Sequence, residues 1–240
     1  MSVVEPIRSL SFQKGVEELL QIVVCLPVED SAEKEKVYRL RYEAYRRERA
    51  LPAQAPVRFC DRFDEEANAK TFGVYVDGRL CSALRIHVVD RHTPEHPGLA
   101  VYPDHVLPRI AEGETLIDPT RFVADLEASR LHPKLPYATV RIAWMACEWF
   151  GADTLLATVR AEHQAFYRRL FGHEVLCAPR AYPTLTKPLS LMALAFPRHR
   201  DRVTSRYSFF ESTPAERRSL FGSWVKQPRS DAGLADRIVA

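Results

Sequence analysis

The sequence predicts a mixed α/β (α+β) domain built on a sheet. Three observations carry that expectation. Asp77-Gly78 separates two apolar strand-like runs, and an Asp-Gly pair in that setting is the strongest short-range hairpin signal. Strand-like runs then alternate with segments of helical period, in the order β-α-β-β-β-α-β-α-β-β. No period of ~20 to 50 residues repeats, and no low-complexity linker interrupts the pattern. One domain is therefore expected over residues 1–225, with a helical addition from about residue 198 and a loosely held tail over 226–240.

The elements follow in order. Gln21 to Leu26 is an apolar run stopped by Pro27 and reads as a first strand. Ser31 is placed to cap a helix reaching about Arg49, with Glu33 and Glu35 in its first turns and arginines in its last. Val37, Leu40, Ala44 and Tyr45 give that helix an apolar stripe. Residues 50 to 68 have no period. Thr71 to Val76 and Arg79 to Val89 form the hairpin. Residues 90 to 112, rich in Pro and His, read as irregular with a single helical turn. Thr115 to Val123 is a strand, and Tyr137 to Phe150 a helix stopped by Gly151. Thr154 to Val159 is a strand and Ala161 to Phe171 a helix closed by Gly172. Glu174 to Cys177 and Leu189 to Phe196 are the last strands. Thr213-Pro214-Ala215-Glu216 is a capping box with Pro at the first helical position, opening a helix toward Trp224.

Composition narrows the classes of function. Hydrophobic residues make up 46% of the 240, enough for a core. A net charge of +3 gives no nucleic-acid footprint. Arg39, Arg41, Arg46, Arg47 and Arg49 cluster on one helix, as a solvated face or as a dock for an acidic partner. No apolar run reaches the ~18 residues of a membrane span. The start of the chain, Met1 to Leu20, carries scattered charges and no apolar core of a secretory signal. Five separated cysteines without a C-x-x-C pair read as reduced thiols in the cytoplasm, not as a metal site. The histidines His87, His92, His96 and His105 lack metal-ligand spacing and read as exposed.

The residues that carry chemistry are charged ones in strand-like surroundings. They are Arg41 on the early helix, Asp61-Arg62-Phe63-Asp64, Arg85 between Leu84 and Ile86, and Ile117-Asp118-Pro119-Thr120-Arg121-Phe122. Buried charges kept together cost too much to serve packing alone. This order resembles the acyl-homoserine-lactone (autoinducer) synthase branch of the N-acyltransferase (GNAT) superfamily. Ala165-Phe166-Tyr167-Arg168-Arg169-Leu170-Phe171-Gly172 resembles the late helix of that superfamily. The C-terminal third departs from the lactone synthases. Its segments Pro179 to Leu185, Pro188 to Met192, Ser208-Phe209-Phe210 and Glu216 to Phe221 resemble the long-chain N-acyl amino acid synthases of the N-acyltyrosine-synthase type. Two further departures are Phe59, where the lactone synthases carry a glutamate, and Asp118 in place of the glutamate of their late strand.

The resemblance implies a GNAT-type fold, a central mixed, mostly antiparallel twisted sheet flanked by helices. It also implies transfer of a fatty acyl group from an acyl carrier protein to the α-amine of an amino acid, with no cofactor beyond that thioester. Such transfer needs an oriented amine, loss of its proton, a stabilised oxyanion and an acid for the thiolate. A kink near Pro119 is expected to aim a backbone N–H at the thioester, since proline cannot donate to a ladder. Asp118 is the candidate base or a surface acid; Tyr167 is the candidate acid or a core tyrosine. Arg121 is the candidate for a structural and catalytic ion pair. Arg41, Asp61, Phe63, Asp64 and Arg85 form a charge network that holds a lid or contacts the amino acid, Arg85 being otherwise surface-facing. An acyl tunnel between the fourth and fifth strands is expected, lined by Ile117, Phe122, Trp144 and Leu156. Asp125 to Pro136 lacks the glycines that cradle a pyrophosphate. Arg46, Arg47, Arg130 and Lys134 are therefore assigned to docking the carrier protein rather than coenzyme A. A lactone synthase, a coenzyme A-dependent acetyltransferase and a non-catalytic acyl or carrier-protein binder remain as alternatives. No metal, nucleic acid or integral membrane segment is expected, and the oligomeric state is not specified.

Overall fold

The computed structural model describes residues 10–224. The tail expected over 226–240 lies outside the described residues, as do residues 1–9 of the segment read against a secretory signal. Within the described residues the sheet has seven strands in the order β1-β2-β3-β4-β5-β7-β6. These are β1 (Val23–Pro27), β2 (Ala69–Val76), β3 (Arg79–Val89), β4 (Leu116–Ala124), β5 (Thr154–Val159), β6 (Glu174–Val175) and β7 (Ser190–Ala195). Every neighbouring pair is antiparallel except β4 and β5.

The β2–β3 hairpin turns on Asp77 and Gly78 with φ of 50° and 74°. Two consecutive left-handed residues are what a right-twisting hairpin needs, and Gly78 takes that conformation without a Cβ penalty. Alternate residues of β3 then enter separate cores. Leu84, Ile86 and Val88 join the large cluster under α1 (Leu10–Ile22), α5 (Leu135–Phe150) and the C-terminal helices. Ala83 packs under α2 (Ser31–Arg47), and Val89 joins Tyr102 and Val106 beside α3 (Pro103–Ala111). The period of two thus puts Arg85 and His87 on the α2–α3 face.

Several elements differ from the sequence reading. The stretch before the first strand is helical, because Phe12, Val16 and Leu19 recur at helical spacing and bury against α5. The cap of α2 is Asp30, whose carboxylate accepts from Ala32 and Glu33 at 2.8 and 3.2 Å, not Ser31. The loop read as irregular holds two full turns, α3, started by Pro103 at its first position. A short α4 (Leu126–Leu131) follows β4, capped by Asp125. The remaining helices are α6 (Ala161–Leu170), α7 (Phe196–Arg206) and α8 (Pro214–Phe221); the last opens on the Thr213–Glu216 capping box read from the sequence. Arg141 of α5 ties the C-terminal segments down: its Nε donates to the Phe209 carbonyl at 2.7 Å and its Nη2 to Glu216 at 3.0 Å.

Candidate active site

β4 and β5 are paired only at Leu116–Thr154 and Ile117–Leu155. Beyond them β5 stays with β7 to Val159, and β4 stays with β3 to Ala124. The sheet is split between the two strands, and the split opens a cleft of about 560 Å³. That is within the usual size of small-molecule sites, about 300–1,000 Å³. Pro119 to Ala124 form one wall, and Thr158, Val159 and the α6 residues Phe166 and Tyr167 form the other. Tyr45 and Arg47 of α2, Arg160, His163 and Lys187 also line it.

The β4 wall is irregular. Ala83 pairs with Val123 and Arg85 with Thr120, so Arg121 and Phe122 together oppose Leu84. This is a bulge, two residues against one. Arg121 has φ of 54°, the left-handed region, which is strained for a residue with a Cβ. The strain turns its side chain onto the face of Arg85, where both meet Asp61. The kink was expected at Pro119, but Pro119 remains paired with Ile86 and the irregularity falls two residues later. Pro119 lies two residues beyond Ile117, the last residue of the parallel ladder, where no hydrogen bond to β5 is required of it.

Five charged residues converge here. Asp61 receives Arg85 Nη1 at 2.6 Å, Arg85 Nη2 at 3.3 Å, Arg121 Nε at 3.2 Å and Arg121 Nη2 at 2.5 Å. Asp64 receives Arg41 Nη1 at 2.7 Å and Arg85 Nη1 at 2.9 Å. The two acids are also locked together: Asp64 accepts the Asp61 N–H at 3.0 Å, and Asp61 accepts the Phe63 N–H at 3.0 Å, a capping box around one 3-10 turn. Thr71 and Thr120 take further N–H groups of Arg41 and Arg85 at 3.1 Å each. Burial pushes the Asp61 carboxyl up, but the Arg85 and Arg121 charges outweigh it and hold it well below the usual range. Asp64 is lowered by Arg41 and Arg85 against the same burial. Arg85, with surface exposure as its alternative reading, is fully buried. Phe63 is half-buried, its ring edge-on to His87 at 6.0 Å and 6.0 Å from the Arg85 guanidinium. Phe59 lies 4.6 Å from the Arg121 guanidinium.

Asp118 is neither a surface acid nor part of the cleft lining. It is buried on the α2–α3 face, opposite His87 in the β3–β4 ladder, with Oδ2 2.7 Å from His96 Nδ1. His87 and His96 are themselves buried, not exposed, because the loop of residues 90–102 folds back over β3 and β4. Burial holds His87 well below its ordinary range, with Arg85 adding to the effect, so it is neutral.

The other candidates are dispersed. Tyr167 lines the cleft, with its ring edge-on to Phe166 at 5.2 Å and to His173 at 5.6 Å. Burial and then nearby Tyr45 raise its phenol, which keeps the proton on. Phe122 lines the cleft, but Ile117, Trp144 and Leu156 do not. Trp144 is fully buried in the large core cluster, stacked on Phe171 at 5.3 Å and edge-on to Phe196 at 4.7 Å; its helical spacing marks core packing. Of the docking set, Arg47 is at the cleft and donates to the Ala124 carbonyl at 3.2 Å. Arg46 and Arg130 are exposed outside the lining, and Lys134 turns to the Phe12 ring of α1 at 5.6 Å. The cations the sequence reading missed are Arg160 and Lys187. Arg160 pairs with Glu48 at 2.8 Å across the cleft mouth, a contact over 112 positions that no local pattern announces.

A family model described as N-acyl amino acid synthase FeeM matches residues 36–195. Among solved structures the chain is similar to FeeM, an N-acyl amino acid synthase from uncultured soil microbes, at 20% identity. That match covers 79% of this chain and 98% of FeeM, with a TM-score of 0.65. It is also similar to BjaI, a coenzyme A-dependent acyl-homoserine lactone synthase, at 14% identity, over 78% of this chain and 89% of that one, with a TM-score of 0.52. At such identities the two structures speak to the fold, a GNAT sheet. No curated protein matches the chain.

Proposed function

The chain belongs to the FeeM N-acyl amino acid synthase family and is an N-acyltransferase, and from that premise we propose that it moves a long-chain fatty acyl group from an acyl carrier protein to the α-amine of an amino acid. The observation that carries this reading is the split between β4 and β5, a cleft with Arg121 on one wall and Tyr167 on the other. The donor thioester lies along the open edge of β4, where backbone N–H groups freed from strand pairing polarise its carbonyl. The amine nitrogen forms a bond to the thioester carbon, the tetrahedral oxyanion collapses, and the C–S bond breaks. Tyr167 gives its proton to the departing thiolate and regains one from the former amine nitrogen, which is cationic after attack and becomes the amide N–H on losing it. The ammonium proton of the acceptor leaves to solvent before attack. Asp118, buried against His96, acts from behind the strand as an electrostatic support of the site rather than by touching the amine.

The carrier protein is favoured over coenzyme A by the start of α4. Asp125 fills that helix end with its own carboxylate, accepting from Ala128 at 2.9 Å, and Glu127 adds a second negative charge. An incoming pyrophosphate meets two acids there, not free N–H groups. Arg47, Arg160 and Lys187 at the cleft mouth suit an acidic carrier helix. No helix of the described residues is long and apolar enough to cross a membrane. We place the enzyme in the cytoplasm with its carrier protein.

The test is the purified protein with acyl carrier protein or coenzyme A thioesters of the same chain and a mixture of amino acids, read by mass spectrometry. Amide products from the carrier-bound donor at a rate well above that from coenzyme A are expected. No amide from either donor overturns the acyl-transfer reading, and equal rates overturn the donor assignment.

A further inference from the structure

We infer that Arg121 is the anchor for the α-carboxylate of the acceptor, so that the site selects amino acids over simple amines. The inference rests on the acceptor class proposed above. It starts from charge. Three guanidiniums, Arg41, Arg85 and Arg121, share two carboxylates, Asp61 and Asp64, and no side chain of the five is more than 16% exposed. The network carries one positive charge more than it neutralises, in a place where unpaired charge is costly. Asp118, the buried acid of the same strand as Arg121, is already joined to His96.

The surplus is deliverable at one member. Arg41 and Arg85 are fully buried behind the strand, whereas Arg121 lines the cleft. Its own hydrogen bonds are made through Nε and Nη2, both to Asp61 Oδ2. Phe59 at 4.6 Å and Tyr45 at 5.7 Å lie against its guanidinium. Nη1 is the edge left over. It belongs to a cation held by a bulge, an ion pair and two rings, on a residue that lines the cleft. A carboxylate accepts a charge-assisted bond from such an edge and cancels the surplus. An amine without a carboxylate, or an ester, leaves it uncancelled.

Arg121 also holds Asp61, so the test changes the ligand before it changes the protein. Binding of an N-acyl amino acid and of its methyl ester to the intact protein is measured by calorimetry. The free acid is expected to bind at least about tenfold more tightly, the scale of one hydrogen bond to a charged group. In Arg121→Gln, checked for an unchanged circular dichroism spectrum, the two ligands should bind alike. Equal binding to the wild-type protein, no binding of the acid at millimolar concentration, or a preference that survives in R121Q overturns the assignment. Turnover keeps the two readings apart. A carboxylate preference without any acyl amino acid formed leaves the anchor standing and refutes the proposed reaction. Equal acylation of an amino acid and its methyl ester refutes the anchor and leaves the reaction.

Discussion

Asp61→Asn is the most informative single change. It keeps the shape and removes the charge that joins β3, β4 and the 3-10 turn. In the native protein Asp61 receives four N–H groups from Arg85 and Arg121. Arg85 retains Asp64 when Asp61 is gone, but among the described residues Arg121 has no other carboxylate. Removing one partner of a buried ion pair costs about 3–5 kcal/mol, mostly because a charge is left unpaired. The Asp61 side chain is 16% exposed, so water reaches the site and the low end, about 3 kcal/mol, is expected. For a chain of this size that is a fall in Tm of about 6–12 °C. Equilibrium urea unfolding and a thermal melt at pH 7.5 measure it. Replacing Arg121 by Met on the D61N background should return part of the loss, a coupling of about 0.5–3 kcal/mol. The pH dependence is a second readout. A carboxyl lowered in the folded state stabilises above its unfolded pKa of about 3.9, and that stability is lost as pH falls below about 5 and through the folded value. D61N should therefore lose stability less steeply than the wild type below about pH 5. A loss under ~1 kcal/mol together with an unchanged acid limb would falsify the account of a buried, charge-bearing junction.

Three further outcomes are expected. Trp144→Ala should cost about 3–5 kcal/mol by opening a cavity in the aromatic core while leaving the KM for the acyl donor within about twofold, because Trp144 is off the cleft; Phe122→Ala should do the reverse, and a raised donor KM in W144A with an intact fold would contradict the placement. Tyr167→Phe keeps the ring packing and should lower kcat about a hundredfold or more with Tm nearly unchanged, as loss of a proton donor does; wild-type kcat removes it from the mechanism. His173 is pushed down to about 3 by burial, so it is neutral when folded and takes up a proton on unfolding below about pH 6.5. Stability should therefore fall by up to about 1.4 kcal/mol per pH unit from that source as pH drops from 6.5 toward 5, and His173→Leu should flatten that slope in urea titrations; a slope unchanged by the substitution refutes it.

What was legible in the sequence was local or repeated. The Asp77-Gly78 turn, the Thr213–Glu216 box and the Gly151 stop each act within a few residues and stand where they were read. The convergence of Arg41, Asp61, Asp64, Arg85 and Arg121 was approached through their order and a family resemblance, not through any local period. The failures have one physical origin. His96 sits in a proline-broken loop whose partner, Asp118, is 22 positions away, and its burial depends on that loop folding back. Glu48 and Arg160 meet across 112 positions. The helix before β1 was missed because its three buried residues, Phe12, Val16 and Leu19, are spread thinly among charges and gain their meaning only from α5. Trp144 shows the converse: its helical stripe was real, and the stripe faced the core.

The C-terminal segments reach back to early parts of the chain. Ser208 donates to Glu17 at 2.6 Å across 191 positions, and Trp224 reaches the Ala67 carbonyl at 3.2 Å across 157. Phe221 and Trp224 cover Phe72 and Phe150, on elements made long before them. At a synthesis rate of about 5–20 residues per second, a nascent chain that has finished β3 waits several seconds or more for its aromatic roof. During that interval the underside of the sheet is bare and open to wrong partners, so yield in cells depends on how quickly translation delivers the last helix. Premature termination anywhere before residue 207 leaves Arg141 without either of its carbonyl acceptors, Phe209 and Glu211, and exposes the face that the missing helices shield.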